Sequence, residues 1–303
     1  MFKDYLQPGQ KKDETARTIY VAVAHDKKTL EAVKATVEKG VAKAILIGDR
    51  RKIETLFNEE GSSFFYLIEH EPDEEAACRR AVDLAKSKKK SMLMKGSVNS
   101  INFLKAVLQG EQNNGKNGFL SHLAAFKVPG FERILFISDG GINISPGLPA
   151  KKKIIDNGVK ALHKLNIACP KVAVLTANEK VDVKVPASLD AEALTLLWGD
   201  GLFPSCIIEG PIAMDVALCK EAARRKGIES KISGEADFLI MPDIQAGNMV
   251  GKTLTYCAGA EMAGVVLGAS YPIIMTSRAE NIEGKLNSIA LAAAIAEEGK
   301  DHV

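Results

Sequence analysis

The sequence predicts a two-lobed α/β protein with largely parallel sheets and an interdomain cleft. Three observations carry that expectation. Short uncharged apolar runs recur along the chain, as strands buried on both faces require. Amphipathic stretches of about ten residues or more separate them, so strand and helix alternate. More than five such strands in 303 residues, with a polar break over 139–150, exceed what one small sheet holds.

The elements follow in order. Ile19–Ala24 reads as a strand, and Thr29–Glu38 as a helix closed by Gly40. Ala44–Ile47 is a strand ending at Gly48-Asp49-Arg50, followed by a helix to about Glu60. Phe64–Ile68 is a third strand, and Pro72–Ser87 a helix whose acidic start suits its positive end. Ser91–Met94 is a strand; Ile101, Leu104, Val107 and Leu108 mark the next helix, and the Gly- and Asn-rich tract 109–118 reads as a loop. Ser121–Lys127 and Ile134–Ile137 are strands, then Pro149–Leu165 a helix and Val172–Leu175 a strand. Ala187–Leu197 is helical, Cys206–Ile208 a strand closed by Glu209-Gly210-Pro211, and Ile212–Lys226 one helix. Phe238–Met241 is a strand, with Pro242 expected in the first turn of the next helix. Met262–Leu267 and Tyr271–Met275 are the last strands. The final helix, with Ile282, Leu286, Ile289 and Ala293 as its apolar stripe, runs to about Glu298.

Composition narrows the function. Forty Lys and Arg against 38 Asp and Glu leave no basic surplus for nucleic acid. Five cysteines without a C-x-x-C spacing imply neither a disulfide framework nor a zinc cluster, and fit a reducing cytoplasm. The polar start of the chain does not read as a signal peptide, and no apolar run approaches the roughly 20 residues of a membrane span. The histidines His25, His70, His122, His163 and His302 are scattered, and no metal site is expected.

Chemistry belongs at the C-terminal ends of the strands. Polar turns stand at five of them: Lys95-Gly96-Ser97, Ser138–Asn143, Glu209-Gly210-Pro211, Asp243–Asn248 and Thr276-Ser277-Arg278. In the last, two hydroxyls and a guanidinium sit where an apolar strand gives way to a helix, a place for an anion such as phosphate. Ser277-x-x-Glu280 is equally a capping box, which explains Ser277 without a ligand. Gly247 and Gly251 interrupt a helical pattern and mark either close packing or close approach by a ligand. No P-loop, H-E-x-x-H, G-x-S-x-G or complete G-x-G-x-x-G motif is present.

Several segments together resemble the phosphate acetyltransferase and phosphate butyryltransferase family. They are Leu93–Asn99, Ser138–Asn143, Pro170–Leu175, Glu209–Pro211, Ala236–Asn248, Thr276–Glu280 and Lys285–Leu291. Length and the Leu-Met-Lys-Gly-Ser-Val wording favour the butyryl branch. The resemblance implies two α/β lobes similar to the isocitrate and isopropylmalate dehydrogenases. Residues 1–138 and 272–303 would form a discontinuous first domain and 139–271 the second.

The implied reaction is reversible transfer of a short acyl group, butyryl by this likeness, between coenzyme A and inorganic phosphate. Acetyl transfer, and a non-catalytic coenzyme A-binding relative, are the alternatives. The implied catalytic residues are Ser277, Arg278 and an acid. Arg278 would offset the repulsion of two anions, and Ser277 would hydrogen-bond the oxyanion or the departing sulfur. The acetyl branch carries its acid seven residues after the motif serine, which here is Gly284. Glu283 lies one residue earlier, turned by about 100° on a helix, and Glu280 or water is open as its replacement. Thr276, Lys95, Ser97, Asn143, Gln245 and Asn248 are the implied substrate contacts. Coenzyme A enters as substrate, no bound cofactor or metal is implied, and the expected assembly is a cytoplasmic homo-oligomer, a dimer or larger.

Overall fold

The structure, a computed structural model, describes residues 17–58, 66–113, 118–277 and 280–296. The described residues divide into two compact units, one of residues up to Phe119 together with 263–296, the other from Leu120 to Met262.

The first unit opens with β1 (Thr18–Ala22), α1 (Lys27–Glu38), β2 (Lys43–Gly48), α2 (Arg50–Asn58) and β3 (Leu67–His70). It continues through α3 (Glu74–Lys86), β4 (Ser91–Lys95) and α4 (Ser100–Gln112). From the end of the chain it takes β10 (Glu261–Leu267), β11 (Ile273–Ile274) and α10 (Ile282–Ala296). Its strands lie in the order β3-β2-β1-β4-β11-β10, parallel except for the β10–β11 pair. The chain winds outward from β1 to β3 and then returns to place β4 on the other side of β1. Strand order therefore reverses between β1 and β4, which opens a crevice at their C-terminal ends.

Side chains start these helices as their sequences direct. Asp26, Asp73 and Asn99 cap α1, α3 and α4 by accepting from Thr29, Ala76 and Ile101 N–H, each cap worth about 1 kcal/mol. Gly40, with φ +68°, takes the left-handed turn after α1.

The second unit holds β5 (Ser121–Lys127), β6 (Leu135–Ser138), α5 (Leu148–Lys164), β7 (Lys171–Leu175), α6 (Pro186–Gly199) and β8 (Ile207–Ile212). There follow α7 (Met214–Leu218), α8 (Lys220–Lys226), β9 (Phe238–Ile240) and α9 (Ile244–Cys257). The strand order is β5-β6-β9-β7-β8, antiparallel only between β5 and β6. Its core gathers Phe126, Leu135, Ile137, Leu239 and Met241 beneath Val216, Ala217 and Ile232. Gly158 lets α5 lie directly on β9, because a Cβ there would stand 2.2 Å from the Phe238 ring.

Several elements depart from the sequence reading. Helix α4 runs on to Gln112, into the start of the tract read as a loop, because Gly110 packs on Val82 and its carbonyl accepts from Lys86 Nζ at 2.6 Å. Strand β8 continues through Glu209-Gly210-Pro211 to Ile212, with a register shift against β7. The helix expected over 212–226 breaks in two at Cys219, whose backbone is extended. Pro242 precedes α9 and its cap Asp243, and so lies outside the first turn. The last helix is buried on most sides, Lys285, Asn287 and Ser288 included, so its apolar residues are no single stripe. The compact second unit also begins at 120 and not 139, since β5 and β6 pair with each other and β6 with β9. The start of the strand expected at Phe64, the end of the helix expected at Glu298, and His302 lie outside the described residues. No helix among the described residues is long and apolar enough to cross a membrane.

Candidate active site

In the first unit three parallel neighbours, β1, β4 and β11, end together. Ala22 lies opposite Lys95, and Met94 opposite Ile274. The turns after them, Val23–Asp26, Gly96–Val98 and Met275–Ser277, therefore share one end of the sheet at its switch point.

Gly96 is needed there for steric reasons. A Cβ at this position would stand 2.1 Å from the Val23 carbonyl oxygen, and the Gly96 and Ser97 N–H groups donate to Ala22 and Val23. Lys95 is buried, and its ammonium donates to the carbonyls of Gly96 at 3.1 Å and Val98 at 2.9 Å. The Ser97 hydroxyl is exposed and donates to Val23 O at 3.3 Å.

The segment after β11 is a loop rather than a direct passage into helix. α10 starts at Ile282, and Asn281 caps it by accepting from Gly284 N–H at 2.8 Å. Ser277 thus sits a turn ahead of the helix. Half of the expected capping box is present: Glu280 reaches back to accept from Ser277 N–H at 3.2 Å, while Glu280 N–H donates to Ser277 O. Thr276 accepts from the Lys285 ammonium at 2.7 Å. Burial raises the Glu280 pKa above the ordinary carboxylate value, against the opposing pull of the Ser277 N–H and the Lys285 charge. Glu283 is exposed in the first turn of α10. Arg278 lies outside the described residues.

The second unit builds a different turn. Asp139 is buried after β6 and organises the loop around its carboxylate. One oxygen accepts from Gly141 and Ile142 N–H at 2.8 and 2.9 Å, the other from His122 N–H at 2.9 Å and the Asn143 amide at 2.7 Å. The same Asn143 amide donates to Leu120 O at 3.0 Å, so its nitrogen serves the loop. The first turn of α9 presses on this loop. Gly247 meets the Asp139 carbonyl and Gly140, and Asn248 donates to Gly140 O at 3.3 Å. Close backbone packing accounts for Gly247, and the Phe126 ring for Gly251. Gln245 and Asn248 are exposed. The His122 ring lies beneath Gly141, and burial lowers its pKa.

Of the expected residues, Lys95, Ser97, Thr276, Ser277 and Glu283 fall in the first unit, and Asn143, Gln245 and Asn248 in the second. Sequence reasoning missed Lys285 and Asp139 as organisers of their turns. Lys285 carried a signal: it stands three residues after Ile282 and four before Ile289, a charge at apolar-stripe spacing. Asp139 stood among the resembling motifs, without a sign that its carboxylate would be the hub. Among the described residues no group of three or more His, Cys, Asp or Glu is placed to hold a metal ion.

Fold and turns together define a class: a mostly parallel α/β protein that gathers hydroxyls, carboxylates and buried lysines at the C-terminal ends of its strands. Within that class the chain belongs to the family described as Phosphate acetyl/butaryl transferase, whose signature matches residues 1–90 and 67–293. It is 40% identical over 286 residues to a phosphate butyryltransferase of Clostridium acetobutylicum, covering 94% of this chain and 95% of that one. It is 37% identical to a phosphate acetyltransferase of Rickettsia felis, over 92% of this chain and 81% of the relative. Among solved structures, a branched-chain phosphotransacylase from Enterococcus faecalis superposes with a TM-score of 0.81 at 27% identity, over 92% of this chain and 99% of that one.

Proposed function

We propose that this chain is a phosphate acyltransferase that moves a short acyl group, butyryl foremost, reversibly between coenzyme A and inorganic phosphate. Family membership supports the reaction. The observation that carries the site is the grouping of Lys95, Ser97, Thr276 and Ser277 at the ends of adjacent parallel strands. Hydroxyls fixed at a switch point, with an arginine beside them in sequence, suit a tetrahedral anion.

In this reading phosphate is held by the turns after β4 and β11, with Arg278 supplying the charge that lets it approach an anionic thioester. A phosphate oxygen attacks the thioester carbonyl, and Ser277 hydrogen-bonds the oxyanion that forms or the sulfur that departs. Thr276 is fixed by Lys285 and presents its hydroxyl to the same anion. Lys95 acts from below the turn, where the Gly96 and Val98 carbonyls hold its charge. Asn143, Gln245 and Asn248 in the second unit are the proposed contacts of coenzyme A. Glu283, at the start of α10, is the carboxylate the sequence pattern offers for proton transfer. The likeness to isocitrate and isopropylmalate dehydrogenases, a homo-oligomeric state and a cytoplasmic location belong to the same proposal. Exposed Met249 and Tyr256 on α9 support self-association.

The test is phosphate-dependent release of coenzyme A thiol from acetyl-, propionyl-, butyryl- and isobutyryl-coenzyme A, by the native chain and by Arg278→Ala. Fast release that is best with a four-carbon acyl group, and lost in the variant, is the expected result. Acetyl preference would assign the neighbouring activity. Saturable coenzyme A binding with no release from any thioester would leave a binding protein in place of an enzyme.

A further inference from the structure

Gly284 and Glu280 share one space. A Cβ built on Gly284 would lie 2.6 Å from one Glu280 carboxyl oxygen (Oε1), 2.7 Å from Cγ and 3.1 Å from Cδ. The carboxyl therefore occupies the room that any side chain at 284 would take. Its Oε2 accepts from Ser277 N–H, which ties it to the loop that carries the hydroxyls. The other oxygen, Oε1, is buried and has no hydrogen-bond partner among the described residues. A buried carboxyl oxygen left without a partner costs free energy, and this one sits beside the proposed reaction centre.

We propose that Glu280, seated in the space left by Gly284, carries the proton between the coenzyme A sulfur and the reacting phosphate. The proposal rests on the acyltransferase reading above and deepens it by naming the proton carrier in preference to the exposed Glu283. In phosphorolysis a phosphate oxygen bonds to the acyl carbon. The carbon–sulfur bond breaks, and its electron pair leaves on sulfur. The Glu280 carboxylate takes the proton of the attacking hydrogen phosphate and passes it to that sulfur. In reverse the Glu280 carboxylate takes the thiol proton, sulfur bonds to the acyl carbon, the carbon–oxygen bond breaks, and the proton passes to the departing phosphate. Burial raises the pKa of the carboxyl, which brings it nearer to the range where a proton carrier works best. The charged group facing it is Lys285 on α10, itself influenced by Asp26, the cap of α1, and by Lys28 in its first turn.

Two variants test the idea in the full chain. Glu280→Gln keeps the shape and the acceptor for Ser277 N–H but cannot carry the proton. Gly284→Ala keeps the carboxyl and takes its space. For each, kcat/KM is expected to fall by about 10²-fold or more, by the same factor in both directions because the overall equilibrium is unchanged. Acyl-coenzyme A formation by the native chain should decline as pH falls through the raised Glu280 pKa, and Glu280→Gln should lose that limb. A merely structural glutamate would not move the pH profile. Rates within about threefold of native in either variant, or an unchanged profile in Glu280→Gln, would overturn the proposal. A native chain that transfers no acyl group would instead remove the acyltransferase reading, and with it any proton for Glu280 to carry.

Discussion

The buried Lys285 ammonium donates to the Thr276 hydroxyl at 2.7 Å and ties the start of α10 to the end of β11. Burial lowers the Lys285 pKa, partly offset by Asp26 and Glu280. Thr276→Val should therefore leave a buried cation short of an acceptor and destabilise the fold by about 1–3 kcal/mol. Adding Lys285→Met should recover most of that loss, since an apolar side chain of similar length needs no partner. Urea unfolding of the two single variants and the double variant checks this, and simple additivity would refute the coupling.

Gly247→Ala should cost more than the helix propensity it gains. Its Cβ would stand 2.6 Å from the Asp139 carbonyl oxygen and 2.8 Å from Gly140 Cα, both backbone atoms that cannot swing aside. An overpacking loss of about 1–3 kcal/mol is expected, with a raised KM for acyl-coenzyme A as the 139–143 loop shifts. Gly199→Ala, at the end of α6 with nothing within 4 Å of its Cβ, is the control and should be neutral or slightly stabilising.

Asp139→Asn should be the most damaging conservative change in the second unit. Four N–H donors converge on its carboxylate, and an amide would turn an NH2 group toward two of them. Loss of charge-assisted bonds worth about 1.5–3 kcal/mol each predicts a large fall in the thermal midpoint, measurable by calorimetry. Asn143→Ala, which removes one of the four donors, should lose less.

Glu280→Gln carries a stability signature apart from its rates. The folded pKa of Glu280 lies above the unfolded value, so between the two the native state binds more protons than the unfolded one. The contribution of this group is fully present below the unfolded pKa and is lost as pH rises through the folded pKa. The midpoint of Glu280→Gln relative to native should thus increase from about pH 4 to pH 7. A difference independent of pH would show that Glu280 titrates as a solvated carboxylate.

Much of the fold was legible because its strands are short apolar runs and its helices begin with capping residues. Asp26, Asp73 and Asn99 cap within three residues of the helix starts that the pattern placed at Thr29, Pro72 and Ile101. Local pattern failed where a distant contact decided the outcome. Gly110 reads as a loop residue, yet Val82 and Lys86 hold it in helix. Gly247 reads equally as packing or ligand approach until the Asp139 backbone is found against it.

The sequence by itself determined the α/β alternation, the polar turns at the strand ends and the family, because these depend on residue type, period and motif order. Tertiary structure decided what those turns hold. It set Lys95 among the carbonyls of its own turn, buried Lys285 against Thr276, and added His122, 17 residues away, to the donors that the 139–143 loop gives Asp139. The missing side chain at Gly284 leaves the same trace in the sequence as any helical glycine. Only the three-dimensional packing shows that the space it frees is filled by the carboxyl of Glu280.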